Sequence, residues 1–375
     1  MDIRSIRSFT VGVIGVIATL GFLLGIAPGS ARAEGHSGAV YVLTNQSTEN
    51  SVFVYRRASD GTLSLSGSFS TGGKGMGTGV DPLGSQGALA LGEAHRFLFA
   101  VNAGSNEISV FAVRGTDLQL VDKVSSGGTM PVSIAVHGRL VYVLNAEANP
   151  NITGFFMNPR TGHLILLAGS QRSLAGGSAA SPAEVSFNRD GDVLMVTEKG
   201  TQTIDTYTVD DNGFASGPTA HVSSGATPFG FVFTHEDIAI VSEAGPNALS
   251  SYEVNDDGGL ERVTSSLPNG QKATCWVVAT EDGRFAYTAN TASGTISSYE
   301  ITRDGTLSLL NPTAAVTGNG TAPTDMALSS DSRFFFAREG GSNSVAGFRV
   351  EADGGLTPVG SMDGIPAGAQ GIAAF

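Results

Sequence analysis

A seven-bladed all-β propeller is predicted by three observations. Short apolar runs rich in Val, Ile and Phe alternate with turn-forming residues. The clearest stretch is 85–126, where 88–91, 97–101, 108–113 and 118–124 read as four consecutive antiparallel strands. That unit recurs, with others opening at Pro131, Pro182, Pro228, Ala273 and Pro323, a period of roughly 50 residues within the range of propeller blades. Finally, the first unit has only three strands, whereas the tail 370–375 (QGIAAF) resembles the opening strand of a unit (QGAL at 86–89) and has no partners after it. The tail is therefore expected to supply the innermost strand of the first blade, closing the ring and removing exposed edges.

Taken in order, residues 1–33 begin with Arg4 and Arg7, continue through an apolar run at 11–27, and end on Pro28, Gly29 and Ala31-Arg32-Ala33. This describes a secretory signal cleaved after Ala33, with a retained membrane anchor as the competing reading. Residues 34–375 then form a single propeller domain, exported to the periplasm, envelope or medium and expected as a monomer. Residues 39–45 (AVYVLTN) and 51–55 (SVFVY) read as a hairpin, and Asp60-Gly61 turns the chain into 64–70. A Gly-containing turn recurs before the last strand of most units, at Gly61, Gly162, Gly213, Gly258, Gly305 and Gly354. Such turns need a residue that accepts positive φ.

A net charge of -13 leaves no basic groove for nucleic acid. No membrane contact is expected beyond the signal segment. Cys275 is the sole cysteine, so no intramolecular disulfide forms and the fold is held by burial and sheet closure.

Repeats allow like positions to be compared within one chain. The third place of each innermost strand holds Gly87, Ser133, Glu184, Gly230, Cys275, Asp325 and Gly371; the place before it holds Gln86, Val132, Ala183, Phe229, Thr274, Thr324 and Gln370. Strand ends crowd the axis here, which explains the small residues but not Glu184 or Asp325. The end of the second strand holds Asn45, Asn102, Asn145, Glu198, Glu243, Asn290 and Glu339, on the same rim. Two readings of this second ring stay open: it lines the channel mouth, or it bonds the backbone of adjoining loops. On the first, Glu184, Glu198, Glu243, Asp325 and Glu339 make the mouth acidic, while Gln86, Asn102, Ser133, Asn145, Asn290 and Gln370 offer neutral contacts to a ligand. Two carboxylates about 10 Å apart there would repel by roughly 1.7 kcal/mol at an effective dielectric of about 20.

The six histidines show no paired ligand spacing, so no metal ligands are assigned; an oxygen-only site would suit Ca²⁺ or Mg²⁺. The Gly-rich stretch 71–79 (TGGKGMGTG) precedes no helix pattern and reads as a flexible rim loop, not a phosphate loop. Cys275 reads as an inert thiol.

With the blades laid out, 98–102 (LFAVN), 108–111 (ISVF), 282–287 (DGRFAY) and the repeated Asp-Gly-x-Leu turns resemble the lactonase-type seven-bladed propellers, the family of 6-phosphogluconolactonase and carboxymuconate-cyclase-like proteins. The resemblance covers nearly everything after the signal. For active members it implies a His and an Arg at first-strand openings, a Glu after the second strand of the Arg's blade, and another Arg after a second strand. The corresponding positions here hold Val132 or Ser133, then Ala183, Glu198 and Thr291. Loss of both guanidinium groups removes the fixed charge that would bind an anion or steady an oxyanion. The missing His and Arg favour a non-catalytic propeller that binds a small neutral or cationic ligand, a glycan or a protein at its mouth or rim. The alternative is an active lactonase or cycloisomerase on a small sugar or organic-acid lactone, with Glu198 or Glu184 as general acid or base. No cofactor is assigned beyond a divalent cation such as Ca²⁺ at the acidic mouth.

Overall fold

The computed structural model describes residues 37–92 and 94–375; the signal segment expected at 1–33 lies outside them. Seven antiparallel sheets surround an axis, and the innermost strands of blades one to seven are Ile372–Ala374, Leu89–Leu91, Thr129–His137, Pro182–Phe187, Pro228–Phe233, Thr274–Ala279 and Pro323–Leu328. Each touches the next, and the seventh touches the first. Blade three departs from four strands because its outer edge is split into Leu164–Leu166 and Arg172–Ser173, both paired with Asn151–Met157. No helix among the described residues is long and apolar enough to cross a membrane.

Closure takes the expected form. Gly38–Leu43 pairs with Ile372–Ala374 in the register Val40 with Ala374, Tyr41 with Ala373 and Val42 with Ile372. The Ala39 N–H donates to Phe375 O at 3.2 Å and the Phe375 N–H to Ala39 O at 3.0 Å, while the Phe375 ring stacks 6.1 Å from that of Tyr41. Ile372 is buried against Val40, Val42 and Phe336, joining blade one to blade seven.

The second strands Phe97–Asn102, Val193–Glu198 and Phe334–Glu339 are buried along their whole length, because both faces of a blade pack on neighbouring blades. Aromatic pairs fill these seams: Tyr142 with Phe187 between blades three and four, Phe229 with Trp276 between five and six, Tyr287 with Phe335 between six and seven. The recurrent Gly turns belong to the same seams. Gly61 of blade one has φ +90° and lies on the Phe334 ring of blade seven; Gly305 of blade six has φ +80° and lies on Ile238 of blade five. A side chain there would be strained in its backbone and would collide with the next blade.

Deleting 370–375 is expected to lower the melting temperature sharply and promote aggregation. Ile372→Ala alone should cost about 2–5 kcal/mol. A thermal melt followed by circular dichroism checks both, and curves that match the full-length chain would contradict closure by the tail.

Candidate functional site

Five inner strands carry a register shift near their openings, at Pro131/Ser133, Pro182/Glu184, Pro228/Phe231, Thr274/Trp276 and Thr324/Met326. A bulge re-aims its residue and leaves a ladder N–H without a partner. In blades three to five the freed N–H is taken up by the preceding blade, and in blade seven the Met326 N–H is taken up by Asp325 Oδ1 of its own strand at 3.0 Å. The Ile134 N–H donates to Gly87 O at 2.9 Å, the Val185 N–H to Ser133 Oγ at 3.2 Å, and the Phe231 N–H to Glu184 Oε2 at 2.6 Å. Blade five offers only Gly230 at the equivalent place. There Gln86 fills the position, accepting from the Val277 N–H at 3.1 Å and donating to Val277 O at 2.9 Å, Phe231 O at 3.3 Å and Glu184 Oε1 at 3.3 Å. Gln86 therefore lies across the channel.

Of the residues expected at the mouth, Gln86, Ser133, Glu184, Asp325 and Gln370 come to the axis or to the loop above it. The second ring does not line the mouth, and the loop-bonding reading describes it. Glu198 accepts from the Gly176 N–H at 3.0 Å and from Thr201 Oγ1. Glu243 accepts from the Gly225 N–H at 2.6 Å and Ser250 Oγ at 2.7 Å, and Glu339 from Ser342 Oγ at 3.0 Å and Ser344 Oγ at 2.5 Å. Asn102 meets Thr71 and Ser109, Asn145 meets Ser126 and Asn151, and Asn290 meets Asn269, Thr274 and Ser297. Strand side chains point at the neighbouring blade, so only the inner strand's edge and bulges face the axis. The five-carboxylate acidic mouth is thereby reduced to Glu184 and Asp325, joined by Asp81. Among the described residues no group of three or more His, Cys, Asp or Glu side chains is arranged to hold a metal ion, and the Ca²⁺ considered for an acidic mouth finds no such group.

A lid covers this mouth. Residues 71–88 make the longest crossover of the ring, joining Leu63–Ser70 of blade one to Leu89–Leu91 of blade two. The stretch read as a flexible rim loop is its first half, and it is tied down: the Lys74 N–H donates to Ser105 Oγ at 3.0 Å, the Gly75 N–H to Gln46 O at 2.8 Å and the Met76 N–H to Asn45 Oδ1 at 3.0 Å. The second half dips toward the axis. Ser85 Oγ donates to Val132 O at 2.9 Å, Ser85 O accepts from Trp276 Nε1 and from Gln370 Nε2, both at 3.0 Å, and the Leu83 N–H donates to Gln370 Oε1 at 2.8 Å.

Two cations missed in the sequence hold the lid from opposite sides. Arg338 Nη1 donates to Val80 O at 2.6 Å and to Thr324 Oγ1 at 2.7 Å; Lys199 Nζ donates to Gly84 O and stands 4.9 Å from the Phe229 ring centre. Burial pushes Arg338 down to about 10 and lowers Lys199, while Asp81 acts on both in the opposite sense. Each is the one charged side chain at its place in the repeat: Thr44, Val101, Leu144, Thr197, Ser242 and Ala289 match Arg338, and Gln46, Ala103, Ala146, Ala244, Thr291 and Gly340 match Lys199. Comparing the places beside the second ring would have found them. Beside the lid, between blades three and four, lies a cavity of about 390 Å³ lined by Leu83, Met130, Glu147, Ser178 and Lys199.

The acids of the axis are protonated easily. Burial, then Asp325, raises Glu184 well above the usual carboxylate range; burial raises Asp325 to about 7, against the pull of the Met326 N–H and Arg338. Away from the axis, Asp205 beside Glu198 is pushed up to about 8, first by burial and then by that neighbour. Cys275 is pushed up to about 12 by burial, which leaves an inert thiol. Acids raised in the folded state keep protons that the unfolded chain releases, so their contribution is full below pH about 4 and is lost as pH rises through about 7 to 8. Asp325→Asn cannot titrate, and its stability relative to the parent is expected to improve by a few kcal/mol from pH 4 to pH 8. Urea unfolding at the two pH values measures this; a gap independent of pH would contradict a neutral buried Asp325.

The chain matches the family model described as Lactonase, 7-bladed beta-propeller, over residues 33–180 and 239–327. No curated protein matches it in sequence. Among solved structures, a protein from Lactobacillus plantarum is 17% identical with TM-score 0.72, covering 90% of this chain and 99% of its own. A putative 6-phosphogluconolactonase from Bacteroides fragilis is 16% identical with TM-score 0.67, over 93% and 100%. The periplasmic gluconolactonase of Pseudomonas aeruginosa is 16% identical with TM-score 0.68, over 89% and 99%. At these identities the structural likeness is one of fold. The family match, together with seven closed blades, shows that this chain belongs to the seven-bladed β-propeller lactonase family.

Proposed function

We propose that this chain is an exported, non-hydrolytic member of its family that binds a small polar molecule at the channel mouth beneath the lid. One observation carries the absence of hydrolysis, namely that the mouth is filled by the chain itself, with the Gln86 amide spanning from Glu184 to Val277; the room for a ligand is the cavity of about 390 Å³ beside the lid. A lactone carbonyl has no free general base there. Glu184 is committed to the Phe231 N–H and to Gln86, and Glu198 to the 174–181 loop through the Gly176 N–H. The places that the resemblance assigns to the catalytic His and Arg residues hold Val132 or Ser133, then Ala183 and Thr291. Export is supported by the order of charged, apolar and small residues in 1–33 and agrees with the periplasmic name of the Pseudomonas aeruginosa neighbour.

Lys199 and Arg338 favour a second reading, lactone hydrolysis, because they supply fixed positive charge where the sequence had left none. Incubation with simple sugar lactones, followed by acid release, separates the two. No turnover above the spontaneous rate is expected, for the parent or for Glu184→Gln and Glu198→Gln. Turnover that either substitution abolishes would establish catalysis and overturn the binding reading. For export, N-terminal sequencing of material recovered outside the cytoplasm should begin at Glu34; an intact Met1 would contradict cleavage.

A further inference from the structure

We infer that three arginines on the face opposite the lid form a site for the phosphate group of a small phosphate monoester, at the seam between blades two and three. A cavity of about 390 Å³ opens there, lined by Arg96, Arg114, Arg160 and Thr161 and by the apolar Phe97 and Val121. Antiparallel order puts the turns that carry the arginines on one face. Residues 92–96 join the first strand of blade two to its second, 114–117 its third to its fourth, and 158–163 the third strand of blade three to its fourth. The lid joins a fourth strand to the next first strand, and so lies on the other face. The Val113 N–H donates to Arg96 O at 2.9 Å, tying the two turns of blade two together. The Leu164 N–H donates to Asp122 Oδ2 at 2.7 Å, and Gly162 packs against Phe97 and Val121, which seats the third turn on blade two.

This seam lacks acids that the repeat supplies elsewhere. Blades six and seven carry the first of these turns as 280–284 (TEDGR) and 329–333 (SSDSR), where Asp282 stands 3.9 Å from Arg284 and Asp331 accepts from the Arg333 N–H at 3.2 Å. Blade two has Ala94 in that place. The residue before the turn glycine is Asp60, Asp257, Asp304 and Asp353 in blades one, five, six and seven, but Thr161 in blade three. Arg160 therefore lacks the acid that adjoins Arg303 at the same place in blade six. Among the described residues none of the three guanidinium groups makes an ion pair or donates a hydrogen bond, and no carboxylate lines the cavity. Arg96 lies 5.7 Å from the Phe97 ring centre, and Asp117, opposite Arg114 in the strand register, is exposed outside the lining. In a chain of net charge -13, three unpaired guanidinium groups around one cavity draw in an anion, and their planar donor edges suit phosphate oxygens. A monoester offers three terminal oxygens to three arginines, while Phe97 and Val121 suit the apolar body that carries the phosphate.

The test is calorimetric titration of the protein with phenyl phosphate, with inorganic phosphate and phenol as comparisons. Saturable binding of phenyl phosphate that weakens as salt is raised is expected, with weaker binding of inorganic phosphate and none of phenol. Arg96→Gln and Arg160→Gln should each weaken binding by about fivefold, and the two together should abolish it. Ala94→Asp and Thr161→Asp put back the acids of the other blades and should weaken it by about tenfold or more. Arg303→Gln removes the arginine at the same place in blade six and should change nothing. The three arginines are exposed, so the variants should melt with the parent. Absence of saturable phenyl phosphate binding, survival of binding in the double variant, or an equal loss in Arg303→Gln would overturn the site. Equal affinity for inorganic phosphate would overturn the assignment of an ester.

Discussion

The antiparallel pairing of Gly38–Leu43 with Ile372–Ala374 is the constraint on which the rest depends. It joins two ends of the chain that no local turn could bring together, and it does so with backbone bonds whose alternative in an open array would be an exposed strand edge. Gln370, two residues before this strand, donates its own N–H to Leu43 O while its side-chain amide holds Leu83, Asp81 and Ser85 of the lid. Closing the ring and sealing the mouth are therefore one set of contacts. A chain that failed to close would lose its lid anchor at the same moment.

The polar residues of the axis make sense once the bulges are considered. Each bulge frees an N–H near the axis, where water is scarce, and an unpaired buried donor costs as much as a lost hydrogen bond. Ser133 and Glu184 answer that need from one blade to the next, and Gln86 answers it where Gly230 has no side chain. A carboxylate in such a place is held by its partners and held near neutrality by burial, so an acid on the axis of this propeller is first a fastening. Chemistry at the mouth falls to groups with something left over, and those are Arg338, Asp325 and the cavity beside Lys199.

The strands, their period and the closing tail were legible in the sequence, because they rest on apolar runs and turn residues that repeat. The runs at 97–101 and 108–113 became Phe97–Asn102 and Glu107–Arg114, and the tail found its partner. The direction of the second ring was not legible. Its Glu and Asn residues sit at the right height, but a strand residue in a blade faces the adjacent blade, and only the partners of Glu198 or Glu243 reveal that their oxygens are used by loops. The lid was hidden for a different reason: its bonds are largely to backbone groups, which leave no mark in residue type, and its glycines read as freedom rather than as close approach. Gly75 and Gly104 meet backbone to backbone, and no side chain fits between them. One sign was available in the spacing, since the crossover at 71–88 is far longer than that between Ser125 and Thr129.

Amide hydrogen exchange at Leu83 tests the central claim most directly, because its N–H is bonded to the Gln370 side chain and to nothing in its own loop. If ring closure fastens the lid, Leu83 should exchange nearly as slowly as the amides of the closing strand pair, Ala39 and Phe375. Exchange at the rate of an open loop, with those strand amides still protected, would show a closed ring without a sealed mouth and would contradict the account.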